Sequence, residues 1–153
     1  MEIDRYGFEV LDEDQCRELL QSVSVGRVAL TSGALPVIVP VVFVMFGNDI
    51  LFESSSDLPL DAAARGSVAC FEADEGDSLR HGGWSVLATG QLELLRGTPA
   101  FGAPLFNAPT FAAGFCDTGF AGSLVRMRPE MISGRRPVDV STIVHLVPTT
   151  VQM

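Results

Sequence analysis

The sequence predicts a mainly β protein, an antiparallel β-barrel with peripheral helices. Between Gly26 and Leu95, short runs of β-branched and aromatic residues alternate with Gly, Asn and Asp turns, which is typical of hairpins. Clear helix signals occur at Leu11–Val23 and Asp57–Gly66, and the irregular segment over residues 96–122 has room for one short helix. No internal repeat or linker divides the 153 residues, so we expect one domain.

The first helix is predicted over Leu11–Val23. Asp12 is a good N-cap, and Gln15, three residues later, completes a capping box. Acidic residues at the start of this segment complement the positive end of the helix dipole. Four residues at helical spacing form its apolar face: Cys16, Leu19, Leu20 and Val23.

Six strands are predicted, separated by turn residues. They are Gly26–Thr31, Pro36–Phe46, Ile50–Ser54, Ser67–Asp74, Trp84–Leu95 and one strand within Ser123–Arg136. Gly90 predicts a bulge or bend in the fifth strand. Between the third and fourth strands, Asp57 as a cap and Gly66 as a terminator predict a helix of about two turns.

The second strand, Pro36–Phe46, is apolar at both odd and even positions. We therefore expect both of its faces to be covered, one by the core and the other by a helix or a second subunit. Pro40 lacks an N–H group, which predicts an edge, a bulge or a segment that faces a ligand.

The charge of the chain argues against several partners. Net charge is −9, from 19 acidic residues and ten arginines with no lysine, so we expect no nucleic-acid partner and no membrane partner. The longest apolar run is too short for a membrane helix, and the acidic N-terminus does not resemble a signal peptide. Three cysteines without metal-ligand spacing predict reduced, mostly buried thiols in a cytoplasmic protein and no metal site.

Few side chains indicate a particular chemistry. No nucleophile–base pair, phosphate loop or dinucleotide fingerprint is present, so no catalytic residue is identified. Trp84 is the only tryptophan and could stack on a planar ligand or anchor the core. We interpret His81 as a solvated loop residue and His145 as an ordinary, partly buried histidine. The Phe-rich segment over residues 96–122 is expected to cover one end of the barrel.

Four arginines near the end of the sixth strand form a basic cluster: Arg126, Arg128, Arg135 and Arg136. Such a cluster can bind a phosphate or carboxylate of a cofactor or substrate, or it can pair with acidic residues across a dimer. We expect pairing for Arg128 and Arg136, and both alternatives stay open for Arg126.

Four segments, taken in order, resemble the pyridoxamine 5′-phosphate oxidase-like family of flavin-binding split barrels, in its small actinobacterial branch. The resemblance covers about residues 9–136 and depends most on Gly26-Arg27, Gly83-Trp84-Ser85-Val86, Arg128-Pro129-Glu130 and Gly134-Arg135-Arg136. It implies a six-stranded split barrel over residues 1–136 that forms a homodimer with ligand sites at the interface. Residues 137–153 would be a tail of unknown role.

The resemblance also implies a small-molecule site. FMN is the usual cofactor, while some relatives use F420, some bind haem and some have no established ligand. By position, the ring would lie against Val39, Pro40, Val41 and Val42, and the ribityl chain and phosphate against Phe52, Glu53, Ser54, Ser55 and Ser56. Trp84 and Ser85 would contribute from the fifth strand, and Arg126 matches a family arginine.

Two positions depart from the family pattern. Glu53 and Pro59 stand where flavin-binding members often carry Arg and Lys. Because two charge-assisted hydrogen bonds to phosphate would be lost, FMN affinity would fall. The resemblance still implies an FMN-binding oxidoreductase, and this is the function that we predict. The alternatives are a non-catalytic binding or sensing module on the same fold, or a protein that binds F420 or haem.

Overall fold

A computed structural model describes residues 1–54, 57–76, 82–95 and 123–138. Those residues form eight strands and two helices. In chain order they are β1 (Glu2–Ile3), β2 (Phe8–Leu11), α1 (Glu13–Ser22), β3 (Val25–Ser32), β4 (Leu35–Phe46), β5 (Asp49–Ser54), α2 (Asp57–Ala64), β6 (Val68–Glu75), β7 (Trp84–Leu95) and β8 (Ser123–Pro137).

Six of these strands close into an antiparallel barrel in the order β8-β5-β4-β3-β6-β7, with β7 pairing back to β8. The long strand β8 makes this closure, because Ile50–Ser54 of β5 pair with one end of it and β7 pairs along most of its length. Closure leaves the six strands without a free outer edge along the paired stretches. The predicted mainly β, six-stranded barrel is confirmed.

The core fills the barrel with side chains from alternate positions of each strand. Val28, Phe71 and Val86 are fully buried, and the rings of Phe43 and Phe71 meet edge to face with centroids 4.7 Å apart. Gly26 lies beside the second ring, because a Cβ on Gly26 would stand 2.3 Å from Cζ of Phe71. The strand therefore needs glycine at this position.

The first helix begins as predicted. Asp12 accepts a hydrogen bond from the backbone N–H of Gln15, whose side chain accepts one from the backbone N–H of Asp12. Cys16 is fully buried and lies so close to β8 that a Cβ on Gly134 would stand 2.8 Å from its Sγ. Neither helix in the described ranges is long and apolar enough to cross a bilayer.

The sequence prediction missed the N-terminal hairpin. Strand β1 pairs with β2, which adds to the barrel by pairing Phe8–Leu11 with residues 134–137 of β8. The turn is held by Asp4, whose carboxylate accepts hydrogen bonds from the backbone N–H groups of Tyr6 and Phe8. Pro137, assigned to the tail from the sequence, is the last residue of β8. Residues 139–153 lie outside the described residues.

The prediction of mostly buried thiols is wrong for Cys70, which is exposed. The period of two along β6 turns Ala69 and Phe71 into the core and therefore turns Cys70 outward. Cys116 lies outside the described residues.

Two predictions for individual strand residues are confirmed. The β7–β8 register shifts between Thr89 and Gly90, which is the expected bulge. Pro40 pairs with Arg27 of β3, while the ladder from β4 to β5 begins only at Phe43. Pro40 therefore occupies a stretch with a strand partner on one side, where its missing N–H is tolerated.

The close approach of Gly26 to Phe71 gives a test of the core. We expect Gly26→Ala to lower the free energy of unfolding by about 1–3 kcal/mol, because the added methyl group overpacks the barrel. Phe71→Leu should also destabilise, but the double variant should lose less than the sum because leucine leaves room for the methyl group. Urea denaturation of the four proteins measures this coupling, and strictly additive losses would contradict the packing described.

Candidate functional site

The strand edge at Val39–Val42 is the first part of the candidate site. Because the β4–β5 ladder begins at the Phe43–Phe52 pair, no strand of the described part covers the outer edge of Val39–Val42. Val41 and Phe52 point into the core, whereas Pro40 is exposed and Glu53 is partly exposed. A ligand on this edge would therefore meet backbone groups and Pro40 rather than the Val41 and Phe52 side chains.

Acidic residues lie just before and just after the end of β5 along the chain. Ser54 is buried, Glu53 precedes it, and exposed Asp57 begins α2. Pro59, at the position where the family often has Lys, is a fully buried residue in the first turn of α2. Of the expected serines, Ser55 and Ser56 lie outside the described residues.

Arg126 lies on the outer face of the barrel and is already paired. It stands opposite Leu51 of β5 and Glu93 of β7, and its Nη2 donates to the Glu93 carboxylate. Its Nη1 lies 3.9 Å from an Asp49 oxygen. The hydrogen bond from Arg126 lowers the pKa of Glu93, outweighing the effect of desolvation. The positive charge of Arg126 is therefore largely neutralised within the chain.

The remaining arginines of the basic cluster also face carboxylates. Arg128 Nε lies 3.8 Å from Asp49, and an Nη1 atom of Arg135 lies 3.5 Å from Asp4. Arg136 donates two hydrogen bonds to Glu9, at 2.6 and 3.2 Å. Arg128 and Arg136 do lie beside acidic residues, but of the same chain, whereas the sequence predicted pairing across a dimer.

Trp84 and Ser85 line a cavity of about 330 Å³ between the β6–β7 end of the barrel and the N-terminal hairpin. Trp84 is only 9% exposed, and its indole N–H donates to Glu75 at 3.3 Å. Phe8 and Pro137 form the apolar part of the wall. Three acidic residues add negative charge: Glu72, Asp74 and Glu75.

Arg27 offsets part of this negative charge. Its Nη1 donates to Glu72 at 2.7 Å and to Asp74 at 2.9 Å. Asp74 also borders a larger cavity, about 580 Å³, between the end of α1 and the Phe43–Met45 stretch of β4. Asp74 therefore lines both cavities, at one end of the barrel.

The structure separates the predicted site residues into two groups. Val39–Val42 and Glu53 lie on neighbouring strands, but β3 and β6 stand between β4 and Trp84, a span of about 14 Å at the usual strand spacing. Arg126 pairs with Glu93, nine residues from Trp84 along β7, or about 30 Å at about 3.3 Å per residue. One chain alone does not bring all of them around one ligand.

Sequence reasoning missed the acidic partners, Asp49 and Glu93 at Arg126 and Glu75 at Trp84. Cross-strand register sets these pairs, and register cannot be read from spacing alone. Among the residues that the structure describes, no group of three or more His, Cys, Asp or Glu side chains could hold a metal ion. His81, His145 and the Phe-rich segment lie outside them.

Comparison with known proteins identifies the family. The family model described as pyridoxamine 5′-phosphate oxidase matches residues 12–136. This chain belongs to the pyridoxamine 5′-phosphate oxidase family. The resemblance found in the sequence is thereby confirmed, and the barrel is the split barrel of this family.

Several proteins of known structure are similar to this chain. A FAD-binding protein from Mycobacterium smegmatis is 28% identical, with a TM-score of 0.61, and the match covers 84% of this chain and 97% of that one. A FAD-binding protein from Mesorhizobium loti has a TM-score of 0.69 over 86% of this chain and 99% of the other; at 19% identity it supports the fold alone.

One curated relative is the uncharacterized protein Rv0080 of Mycobacterium tuberculosis. It is 38% identical over 85 residues, which make up 52% of this chain and 56% of the relative. The match thus spans little more than half the length of each protein.

Membership of this family implies a flavin cofactor. The described residues suit one part of a flavin and not another. The uncovered edge at Val39–Val42 and the apolar surface around it suit a planar ring. The end of β5 does not suit a terminal phosphate, because Glu53 and Asp57 flank it and Arg126 is held by Glu93. The donor set therefore fits the ring system and does not fit a phosphate dianion.

The Glu9–Arg136 pair gives a test of how the cavity wall is held. This pair joins β2 to β8 beside Phe8 and Pro137. The hydrogen bond from Arg136 lowers the pKa of Glu9 below its ordinary 4.5. A lowered carboxylate pKa stabilises the fold at pH values above 4.5, and the stabilisation is lost as pH falls through the folded-state pKa.

We therefore expect Glu9→Gln to lower the free energy of unfolding at neutral pH by about 0.5–1 kcal/mol, a small value because Arg136 is well exposed. The difference from the parent protein should shrink toward about pH 3. Urea denaturation at both pH values measures it, with exposed Glu18→Gln as the control. A loss of stability that is the same at both pH values would contradict a role for the carboxylate charge.

Proposed function

We propose that this chain binds a flavin-type cofactor, acts as a homodimer and has oxidoreductase activity. The observation that carries the proposal is the match to the FAD-binding protein from Mycobacterium smegmatis, at 28% identity and over nearly all of that protein. The uncovered edge of β4 supplies a place for the ring. The free thiols of Cys16 and Cys70 agree with a reducing compartment, and we propose the cytoplasm.

The chain would position the flavin and adjust its electrostatics. A flavin supplies hydride or electron transfer when bound, and the protein supplies orientation. Pro40 has no N–H group, and the N–H of Phe43 donates to Ser24 on the β3 side, so alternation along β4 leaves the N–H of Val42 on the outer edge. This N–H would face the polar edge of the ring, where a hydrogen-bond donor stabilises negative charge. Pro40 would cover part of the ring and exclude water. No described side chain is needed for proton transfer in this proposal.

The homodimer is supported by an outer apolar face that is left open in the single chain. We define the outer apolar face as Ile38 of β4, Ala29 of β3, Cys70 of β6, Leu87 of β7 and Met131 of β8. Strand register places them on one side of the sheet, with Thr89 among them and the Arg27–Glu72 ion pair at their border. Ile38 is 66% exposed, Leu87 53% and Met131 72%. Exposed apolar surface of this kind is typical of an interaction site.

A second copy on this face would also complete the site. The face lies over β3 and β6, the two strands that separate Val39–Val42 from Trp84. A partner there would cover the open edge of β4 and could place its own Trp84 end against it. The proposal therefore assigns the second wall of the flavin site to the partner.

A non-catalytic binding or sensing module is the second candidate. The observation that favours it is the neutralised Arg126, together with Glu53 and buried Pro59 where family cations are expected. Such a protein would hold a ligand weakly and transfer no electrons. Flavin binding without any turnover of the reduced flavin by an added acceptor would favour this candidate.

A flavin titration tests the proposed function. We expect riboflavin-type ligands at micromolar concentration to bind at about one per subunit, shifting the visible flavin absorbance and quenching the fluorescence of Trp84. The variant Trp84→Phe is the matched control, since it should lose the fluorescence signal while the absorbance shift shows whether binding persists. The absence of any absorbance shift with riboflavin, FMN and FAD would overturn the proposal.

Analytical ultracentrifugation tests the homodimer. We expect the chain to sediment as a dimer at about 10 μM and Leu87→Asp to sediment as a monomer, because a carboxylate on the outer apolar face would be desolvated in the interface. Tyr6→Asp, at an exposed turn outside this face, should remain dimeric. Circular dichroism should show that both variants keep the fold. A monomeric parent protein would contradict the proposed assembly.

A further inference from the structure

We infer that the flavin site selects a flavin whose ribityl chain carries no terminal phosphate dianion, namely riboflavin or FAD rather than FMN. This inference rests on the proposed function and on the expected place of the ribityl end beside the last residues of β5. It follows from the charges that the structure gathers there.

The first step is the negative charge at this end of β5. Glu53 is partly exposed on the outer face, and Asp57 is exposed at the first residue of α2. Glu53 pairs with Leu124 while Leu51 pairs with Arg126, so Glu53 and Arg126 are diagonal neighbours on one face. Asp49 lies two residues from Leu51 on the same face and also contacts Arg126. Carboxylates from β5 and β7 thus lie on both sides of the Arg126 guanidinium.

The second step is that no uncommitted cation stands near this point among the described residues. Arg126 is the nearest, and Glu93 and Asp49 already hold it. Arg27 and Arg136 are paired with acidic residues elsewhere on the barrel. Arg65, which has no carboxylate partner in the described part, follows the C-terminal end of α2, about 12 Å from the start of that eight-residue helix.

The third step compares the ligands. The terminal phosphate of FMN carries nearly two negative charges at neutral pH, as phosphate monoesters do. Esterification in FAD leaves one charge on that phosphate and moves the other negative charge to the next phosphate along the chain, farther from the ribityl end. Riboflavin has no phosphate charge. Each like-charged contact at about 6 Å weakens binding about threefold at the dielectric constant of water, and about a hundredfold at the lower value typical of a protein surface. With Glu53 and Asp57 both present, FMN should bind at least about tenfold more weakly than riboflavin.

The test is a set of fluorescence and absorbance titrations of the full chain with riboflavin, FMN and FAD at low and near-physiological salt. We expect FMN to be the weakest ligand, by about tenfold or more at low salt, with a smaller difference at higher salt because ions screen surface charges. FAD binding as tightly as riboflavin or more tightly would also support the inference, and would indicate that the esterified phosphate is accepted.

Two variants separate the charges responsible. Glu53→Gln should raise FMN affinity relative to riboflavin affinity by at least about threefold, because it removes one repulsive carboxylate. Glu93→Gln should do the same by releasing the Arg126 guanidinium. Glu18→Gln, an identical change of charge on the exposed face of α1, is the matched control and should alter neither affinity.

The outcomes distinguish the inference from the proposed function. FMN binding as tightly as riboflavin and FAD, or more tightly, would overturn the inference while leaving flavin binding intact. FMN affinity unchanged in both Glu53→Gln and Glu93→Gln would also overturn it. Failure of all three flavins to bind would instead overturn the proposed function.

Discussion

Pairing of β8 with both β5 and β7 is the constraint on which the rest of this structure depends. It closes the barrel, sets the register that places Arg126 between Leu51 and Glu93, and carries the glycine against which α1 packs. The N-terminal hairpin also depends on β8, because β2 pairs with its last four residues. β8 contributes residues to the core, to the wall of the cavity at Trp84 and, through Arg126 itself, to the ion pairs with Glu93 and Asp49.

Local patterns in the sequence were sufficient for most of the fold. The capping residues Asp12 and Gln15 defined α1, and β-branched runs between turn residues defined the six barrel strands, including the bulge at Gly90. The N-terminal hairpin was missed because β1 has only two residues and its turn is held by a side chain, Asp4. Cys70 was misplaced because thiol burial depends on which face of a strand the residue occupies.

Much less of the candidate site could be predicted. Resemblance to the family suggested which strands face a ligand, and the structure describes an uncovered edge at Val39–Val42 there. The charges around Arg126 follow from cross-strand register, which a single sequence does not specify. Because ten arginines face 19 acidic residues, most described arginines end beside carboxylates. An arginine that matches a family position is therefore not automatically free to bind an anion.

The distance along the chain between the paired strands also affects how the protein is made. Residue Ile50 pairs with Met127, so a growing polypeptide exposes β5 and β7 as open edges until β8 has emerged from the ribosome. Contacts between such remote segments slow folding, and open edges can pair with other chains in the meantime. The rate at which β8 is synthesised, and chaperone protection until it emerges, would therefore affect the yield of folded barrel.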